Sequence, residues 1–308
     1  MTRLLAIVGP TASGKSELAL LLAIRLNGEI VSADSRQIYK FLDIGTSKPT
    51  KEDRRRVPHH FVDILDPTQD YNAGAFGNEA RSKIVEIVAR GKQAILTGGS
   101  GLYVKAVIDG FFDGPGQDSE VRSRLEERMR EEGPEALLTD LSKIDPRSAS
   151  VMEASKPRRI IRALEVYQIT GKPLSEFHRE QSAASPFETV QFGLEWGRTH
   201  LYERINKRVE LMVSRGLIEE AKHLLDQGFD QSLNALNTVG YKEVFDYLSG
   251  NQSYEEMVEL MKRNTRRFAK RQLTWFRRDD RINWIKADEA TSFQRIADTV
   301  VSDFRSAA

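Results

Sequence analysis

The run Gly9-Pro10-Thr11-Ala12-Ser13-Gly14-Lys15-Ser16 follows the spacing G-x-x-x-x-G-K-[ST]. Glycines in such a loop let the backbone wrap until several amide N–H groups point inward as a nest for an anion. A helix starting near Ser16 adds the positive end of its dipole. Lys15 supplies a point charge for the distal phosphate, and Ser16 a hydroxyl that can ligate Mg2+. At ordinary glycine frequency the pattern arises by chance in roughly one chain of this length in a hundred. Its place, directly after the apolar run Leu4–Val8, makes chance rarer still. The loop binds a di- or triphosphate; it does not say what reaction follows.

Asp34 narrows the reaction. The strand-like Glu29-Ile30-Val31-Ser32 leads into Ala33-Asp34-Ser35-Arg36-Gln37-Ile38-Tyr39. In an open parallel sheet the ligand crevice lies at the carboxyl ends of the strands, which puts Asp34 beside the phosphate loop. A carboxylate there repels a bound diphosphate unless it takes a proton, binds a metal or orients another group. Capping the following helix is the plain structural alternative. A nucleotide hydrolase or kinase would also carry an apolar strand ending in Asp to position Mg2+. Here the strand Gln93–Thr97 ends in Gly98-Gly99, and the run Phe61–Asp66 is interrupted, so routine ATP chemistry is disfavoured.

These groups need a frame. Leu4–Val8 reads as a buried parallel strand, Ser16–Leu26 as a helix with Leu18, Leu21, Leu22 and Leu26 on one side, and Gly74–Arg90 as a helix stopped by Gly91. Alternating strands and helices give an α/β fold: a P-loop NTPase-like parallel sheet flanked by helices. Past Asp113-Gly114-Pro115-Gly116 the strand pattern stops, and charged helices run from Ser119, after Pro134 and from Arg158. Residues 114–188 read as an all-helical insertion domain, with 1–113 and 189–308 forming the core domain. Thr189–Leu194 alternates and returns to the sheet. Helices are expected over His200–Arg215, Ile218–Gln227 and Tyr254–Arg278, the last opened by a Ser253/Glu256 capping box, before a last strand at Ile282–Ile285.

Composition excludes several classes. The 308 residues are 40% hydrophobic and 30% charged, enough for a two-domain core and unlike a disordered chain. With Cys 0, disulfides, cysteine-ligated zinc, iron–sulfur clusters and a cysteine nucleophile are all out. Leu4–Val8 is too short for a membrane span or a signal-peptide core, so a soluble cytoplasmic protein is expected. A net charge of +1 says nothing of partners, but its distribution does. Lys262, Arg263, Arg266, Arg267, Lys270, Arg271, Arg277, Arg278 and Arg281 form one basic cluster, and Lys156, Arg158, Arg159 and Arg162 another. Clustered positive charge on a neutral protein is aimed at an anion. Met257, Met261 and Phe268 read as core, and His59-His60, His178 and His200 as surface or loop.

An ordered set of motifs carries a resemblance. G-P-T-A-S-G-K-S is followed by D-S-R-Q-I-Y at 34–39, D-I-G-T-S-K-P at 43–49 and G-G-S-G-L-Y at 98–103. Then come P-R-R-I-I-R-A-L-E-V at 157–166, V-G-Y-K-E at 239–243 and K-R-Q-L-T-W-F-R at 270–277. Over nearly the whole chain, the set resembles the tRNA dimethylallyltransferases, bacterial isopentenyltransferases that prenylate adenosine 37. Ser100 stands where that family usually has Thr, keeping the hydroxyl and losing the methyl.

The resemblance implies dimethylallyl diphosphate in the loop of Gly9, Pro10, Thr11, Ala12, Ser13, Gly14, Lys15 and Ser16, with Mg2+ on Ser16. It implies Asp34 as the base, with Thr11, Lys15 and Arg208 in catalytic roles. It implies a tRNA anticodon stem-loop contacted by Asp34, Ser35, Arg36, Gln37, Ser100, Arg122, Arg158, Arg159, Ile160, Ile161 and Arg162. Asn237–Lys242 would help grip the same stem-loop. A monomer is expected. The competing readings are a small-molecule kinase with a lid-like insertion, an RNA-binding protein that only senses a nucleotide, and a prenyltransferase of free adenine nucleotides.

Overall fold

A computed structural model describes residues 2–111, 115–116, 118–180 and 185–306. The chain divides into two compact units: Met1–Gly110 with Ser185–Ala308, and Phe111–Ala184. Gly114, read from sequence as the start of the insertion, lies outside the described residues.

The larger unit is built on a six-stranded, all-parallel sheet: β1 (Thr2–Val8), β2 (Gly28–Ser32), β3 (His59–His60), β4 (Gln93–Gly98), β5 (Phe187–Trp196) and β6 (Ile282–Ala287), in the order β3-β2-β4-β1-β5-β6. Its helices before the insertion are α1 (Lys15–Arg25), α2 (Lys51–Arg56), α3 (Ala73–Ala89) and α4 (Gly101–Ile108). The smaller unit holds α5 (Ser119–Glu132), α6 (Pro134–Ile144), α7 (Pro146–Ala149), α8 (Pro157–Thr170) and α9 (Leu174–Glu180). The chain then adds α10 (Arg198–Ser214), α11 (Leu217–Asp226), α12 (Tyr241–Leu248), α13 (Tyr254–Phe276) and α14 (Phe293–Ser306) to the larger unit.

Apolar strands buried on both faces explain the parallel sheet. Leu5 and Ile7 of β1, Ile95 of β4 and Phe192 and Leu194 of β5 share one core with Leu18 and Leu22 of α1 and Val300 and Phe304 of α14. The smaller unit has its own core, in which Leu125, Leu137, Leu141, Ile160 and Leu164 meet. The expected capping box opens α13: Ser253 accepts from the Glu256 N–H while Glu256 accepts from the Ser253 N–H.

Several expectations are corrected. The returning strand starts at Phe187, where it pairs with Thr2, and not at Thr189. His59 and His60 pair in register with Ile30 and Val31, and His60 is bonded to the buried carboxylate of Glu29, 2.7 Å away. Phe268 is not core; it is 38% exposed, whereas Met257 and Met261 are buried.

Candidate active site

The strand order sets the site. The phosphate loop follows β1, the Asp34 turn follows β2, and the Gly98–Gly101 segment follows β4, which lies between them in the sheet. All three loops therefore leave the same edge of neighbouring strands, the crevice where parallel sheets bind ligands. The β4 end shows why no carboxylate stands there. A Cβ at Gly98 would collide with the backbone and side chain of Ala33, just before Asp34. The close approach that positions Asp34 excludes a side chain from the end of β4.

The phosphate loop is gripped from outside. Lys15 Nζ folds back onto the Pro10 carbonyl at 3.1 Å. The Ala12 carbonyl accepts from Arg204 Nε at 2.8 Å, and the Ser13 carbonyl from the Trp196 indole N–H at 2.9 Å. Arg204 also lies over the Trp196 ring, 4.2 Å from its centroid. Ala12 and Gly14 adopt positive φ of 63° and 91°. Gly14 is packed so closely under the Phe293 ring that a side chain there would collide with it. The Thr11 amide N–H donates to Gln272 Oε1 at 2.8 Å, so only its hydroxyl is open to a diphosphate. The buried Ser13 hydroxyl has no hydrogen-bond partner among the described residues, an orphaned polar atom inside the nest.

Charge converges on the loop. Burial first, then the Arg208 guanidinium, lowers the Lys15 pKa to about 8, against a smaller opposing pull from Asp34. Burial also lowers the Arg208 pKa, and Asp34 again opposes it. Two cations and one carboxylate are thus electrostatically coupled in one site. This brings together Lys15, Asp34 and Arg208, and Arg208 is placed by α10, on or beside the face where Leu201, Ile205 and Val209 are buried.

Asp34 is held by its own turn. Its Oδ1 accepts from the N–H groups of Arg36 at 2.9 Å and Gln37 at 3.3 Å, leaving its second oxygen outside that turn. Ser35 N–H donates to Ser100 Oγ at 3.1 Å, which uses the hydroxyl kept at the family's Thr position. Gln37 donates to the carbonyls of Thr46 and Ser47, and Arg36 to that of Asn234.

A cleft of about 330 Å³ opens beside the loop, lined by Ser16, Glu17, Ser32, Gln37, Lys48, Asp53 and Thr97 among others. Its donors are hydroxyl, amide and carboxylate oxygens around Ser16 at the start of α1. That donor set fits a hard cation such as Mg2+, which prefers oxygen ligands and keeps several waters. A second cleft of about 240 Å³ is lined by Arg208, Arg215, Arg54 and Lys51 with Leu211 and Met212.

Sequence reading missed the supports of this site. Glu220 of α11 accepts from the N–H groups of Asp43, Ile44 and Gly45 and from the Tyr241 hydroxyl. Lys48 is buried between Asp43, Asp63 and the Tyr39 carbonyl. The V-G-Y-K-E segment is scaffold at two of its positions: Tyr241 is buried, and Glu243 caps Gly240 N–H and accepts from Asn264. Neither side chain is free to grip RNA.

The smaller unit gives a mixed result. Ile160 and Ile161 are buried in its core, so their side chains face no ligand. Glu165 is fully buried, and an enclosed carboxylate requires counter-charge. Arg162 supplies it at 2.8 Å and also donates to the Pro115 carbonyl at 2.7 Å; Arg122 adds a contact at 3.7 Å. Arg162 is therefore a structural arginine, while Arg158 and Arg159 are exposed and form no ion pair among the described residues.

The basic cluster of α13 also divides. Lys262 pairs with Glu210 and Glu259, Arg266 bonds Asn206, Arg277 pairs with Glu195, and Arg281 with Asp109 and Asp279. Arg263, Arg267, Lys270, Arg271 and Arg278 are exposed without an ion pair among the described residues, and Arg271 lies over Phe268 at 5.7 Å.

The fold and site define a P-loop α/β protein whose phosphate loop lies beside a carboxylate turn. The IPP transferase family model matches residues 37–279, and the chain belongs to that family. It is 49% identical to the tRNA dimethylallyltransferase of Pelotomaculum thermopropionicum over 96% of this chain and 95% of that one. The crystal structure of a tRNA isopentenylpyrophosphate transferase from Bacillus halodurans is 42% identical, with a TM-score of 0.73 over 99% of this chain and 98% of that one. A eukaryotic dimethylallyltransferase, solved acting on tRNA, superposes with a TM-score of 0.86 at 28% identity, over 100% of this chain and 80% of that one. No helix among the described residues is long and apolar enough to cross a membrane.

Proposed function

We propose that the protein is a tRNA dimethylallyltransferase, moving the dimethylallyl group of dimethylallyl diphosphate to N6 of adenosine 37 in tRNAs that read codons beginning with U. The observation that carries this reading is the placement of the Asp34 turn at the end of β2, near the phosphate loop after β1, with the intervening β4 ending in a glycine that admits no side chain. The diphosphate lies in the loop, with its charge met by inward amides, the Ser13 hydroxyl, Lys15 and Arg208. N6 attacks the allylic carbon; the N–C bond forms as the C–O bond breaks, and diphosphate departs into the same cradle. The attacking nitrogen loses its proton to Asp34, whose position is fixed by the Arg36 and Gln37 amides. Pre-aimed donors of this kind stabilise developing charge without reorganising. Ser16 would hold Mg2+, which supplies further neutralisation of the departing diphosphate.

The target base must leave its stack to reach such a site. Arg158 and Arg159 on α8, and the exposed cations of α13, supply phosphate contacts for the stem-loop. A small-molecule kinase would consume ATP without RNA. The test is release of inorganic diphosphate from dimethylallyl diphosphate. Release that depends on the stem-loop, with no ATP consumed, is expected; ATP turnover without RNA would overturn the reading.

A further inference from the structure

Gln272 is used by none of the chemistry above, yet it is 7% exposed and bonded at both ends of its amide. It sits on the buried face of α13, three residues after Ala269 and four before Phe276. Its Oε1 accepts from the Thr11 N–H of the phosphate loop at 2.8 Å, and its Nε2 donates to the Gly99 carbonyl at 2.9 Å. The glycines of the 98–101 segment admit this helix: a Cβ at Gly99 would collide with the Gln272 amide, and one at Gly101 with the Trp275 indole. On its other side the same segment holds the Asp34 turn. Ser100 N–H donates to the Ala33 carbonyl at 3.3 Å, and Ser100 Oγ accepts from Ser35 N–H at 3.1 Å.

We infer that Gln272 is a positioning residue for the transfer, setting the distance between the diphosphate cradle and the Asp34 carboxylate. The connection runs Thr11, Gln272, Gly99, Ser100, Ser35, Asp34, each link a hydrogen bond or a chain neighbour. Gln272 has the right chemistry because the two loops offer opposite groups, an N–H and a C=O, and a carboxamide both accepts and donates. Reacting groups misplaced by about 1 Å can lose on the order of a hundredfold in rate, so the link acts on kcat. This inference rests on the proposed prenyl transfer for its kinetic consequence, but not for its effect on diphosphate binding.

The experiment compares Gln272→Met and Gln272→Glu with Gln191→Met, a buried glutamine on β5 outside the site. Gln272→Met is expected to lower kcat by about tenfold to a hundredfold. It should leave stem-loop affinity within about twofold, while Gln191→Met keeps wild-type kcat. Gln272→Glu keeps the acceptor for Thr11 N–H but meets the Gly99 carbonyl with a second acceptor; once protonated it can donate again. Its activity relative to wild type should therefore rise as pH falls, and that of Gln272→Met should not. Equal kcat in wild type and Gln272→Met, or a loss shared by Gln191→Met at matched melting temperature, would overturn the assignment. Inorganic diphosphate affinity, measured by calorimetry without RNA, separates this inference from the proposed function. Weaker binding by Gln272→Met supports the link whatever group is transferred, and unchanged binding together with unchanged kcat overturns it. A wild-type protein that binds diphosphate but transfers no prenyl group would sink the proposed function alone.

Discussion

Arg208 reaches the phosphate loop from α10 and faces Lys15 closely enough to help push the lysine's pKa down to about 8, second only to burial. Lys15 is held on the Pro10 carbonyl, and its lowered pKa marks a stability cost that a bound anion would offset. The sign follows from linkage. Native Lys15 binds its proton less tightly than the unfolded chain's lysine at 10.5, so between about pH 8 and 10.5 the unfolded state holds more protons and stability rises with pH. Below about pH 8 the cost is fully present. Lys15→Met should raise the melting temperature of the apo protein at pH 7, with the advantage shrinking toward pH 10, while diphosphate binding is lost. In the wild type, inorganic diphosphate should bind with proton uptake near pH 8 and weaken above it. Thermal scans and calorimetry in buffers of different ionisation enthalpy read both effects.

Removing the base should separate chemistry from docking. Asp34→Ala is expected to lower single-turnover transfer by about 100-fold to 10,000-fold, the usual worth of a general base. Its stem-loop affinity should change far less. Equal losses in rate and affinity would contradict the assignment.

The loop 43–45 is hung on Glu220 and packed on Tyr241, where a Cβ at Gly45 would come within 2.5 Å of the Tyr241 ring. Gly45→Ala should destabilise the larger unit by about 1–3 kcal/mol through overpacking. Glu220→Ala should cost a similar ~1–3 kcal/mol by leaving the partly buried Ile44 and Gly45 N–H groups unpaired. Denaturant melts measure each. A stability change near zero in both would mean the loop is held by other contacts.

RNA affinity should fall steeply with salt, and the division of the α13 cations predicts which residues carry the slope. Arg267→Ala or Arg271→Ala should flatten the log–log salt slope by about 1 each if that side chain neutralises a phosphate. Lys262→Ala, already paired with Glu210 and Glu259, should not.

The frame and its reactive groups were legible because they rest on local signals. The apolar strand before the phosphate loop, the Asp34 turn and the Ser253 capping box each need only neighbouring residues to specify them. What escaped depends on partners distant in sequence. Glu220 meets residues 43–45, Gln272 meets Thr11 and Gly99, and nothing in the spacing of either pair announces the other. The ion pair of Arg162 with the buried Glu165 is likewise invisible on a helix face read from sequence. Phe268 lies at a helical spacing that reads as core, but beside Arg271 it is exposed. The final helix α14 is legible in the recurrence of Phe293, Ile296, Ala297, Val300 and Phe304 at helical spacing.

The measurement that tests the central claim most directly is the mass of an anticodon stem-loop after incubation with the protein, Mg2+ and dimethylallyl diphosphate. A stem-loop carrying adenosine at 36 and 37 should gain one dimethylallyl group, and the gain should vanish when adenosine 37 is replaced by guanosine. No gain on the adenosine substrate, or an equal gain on both, would contradict transfer to adenosine 37.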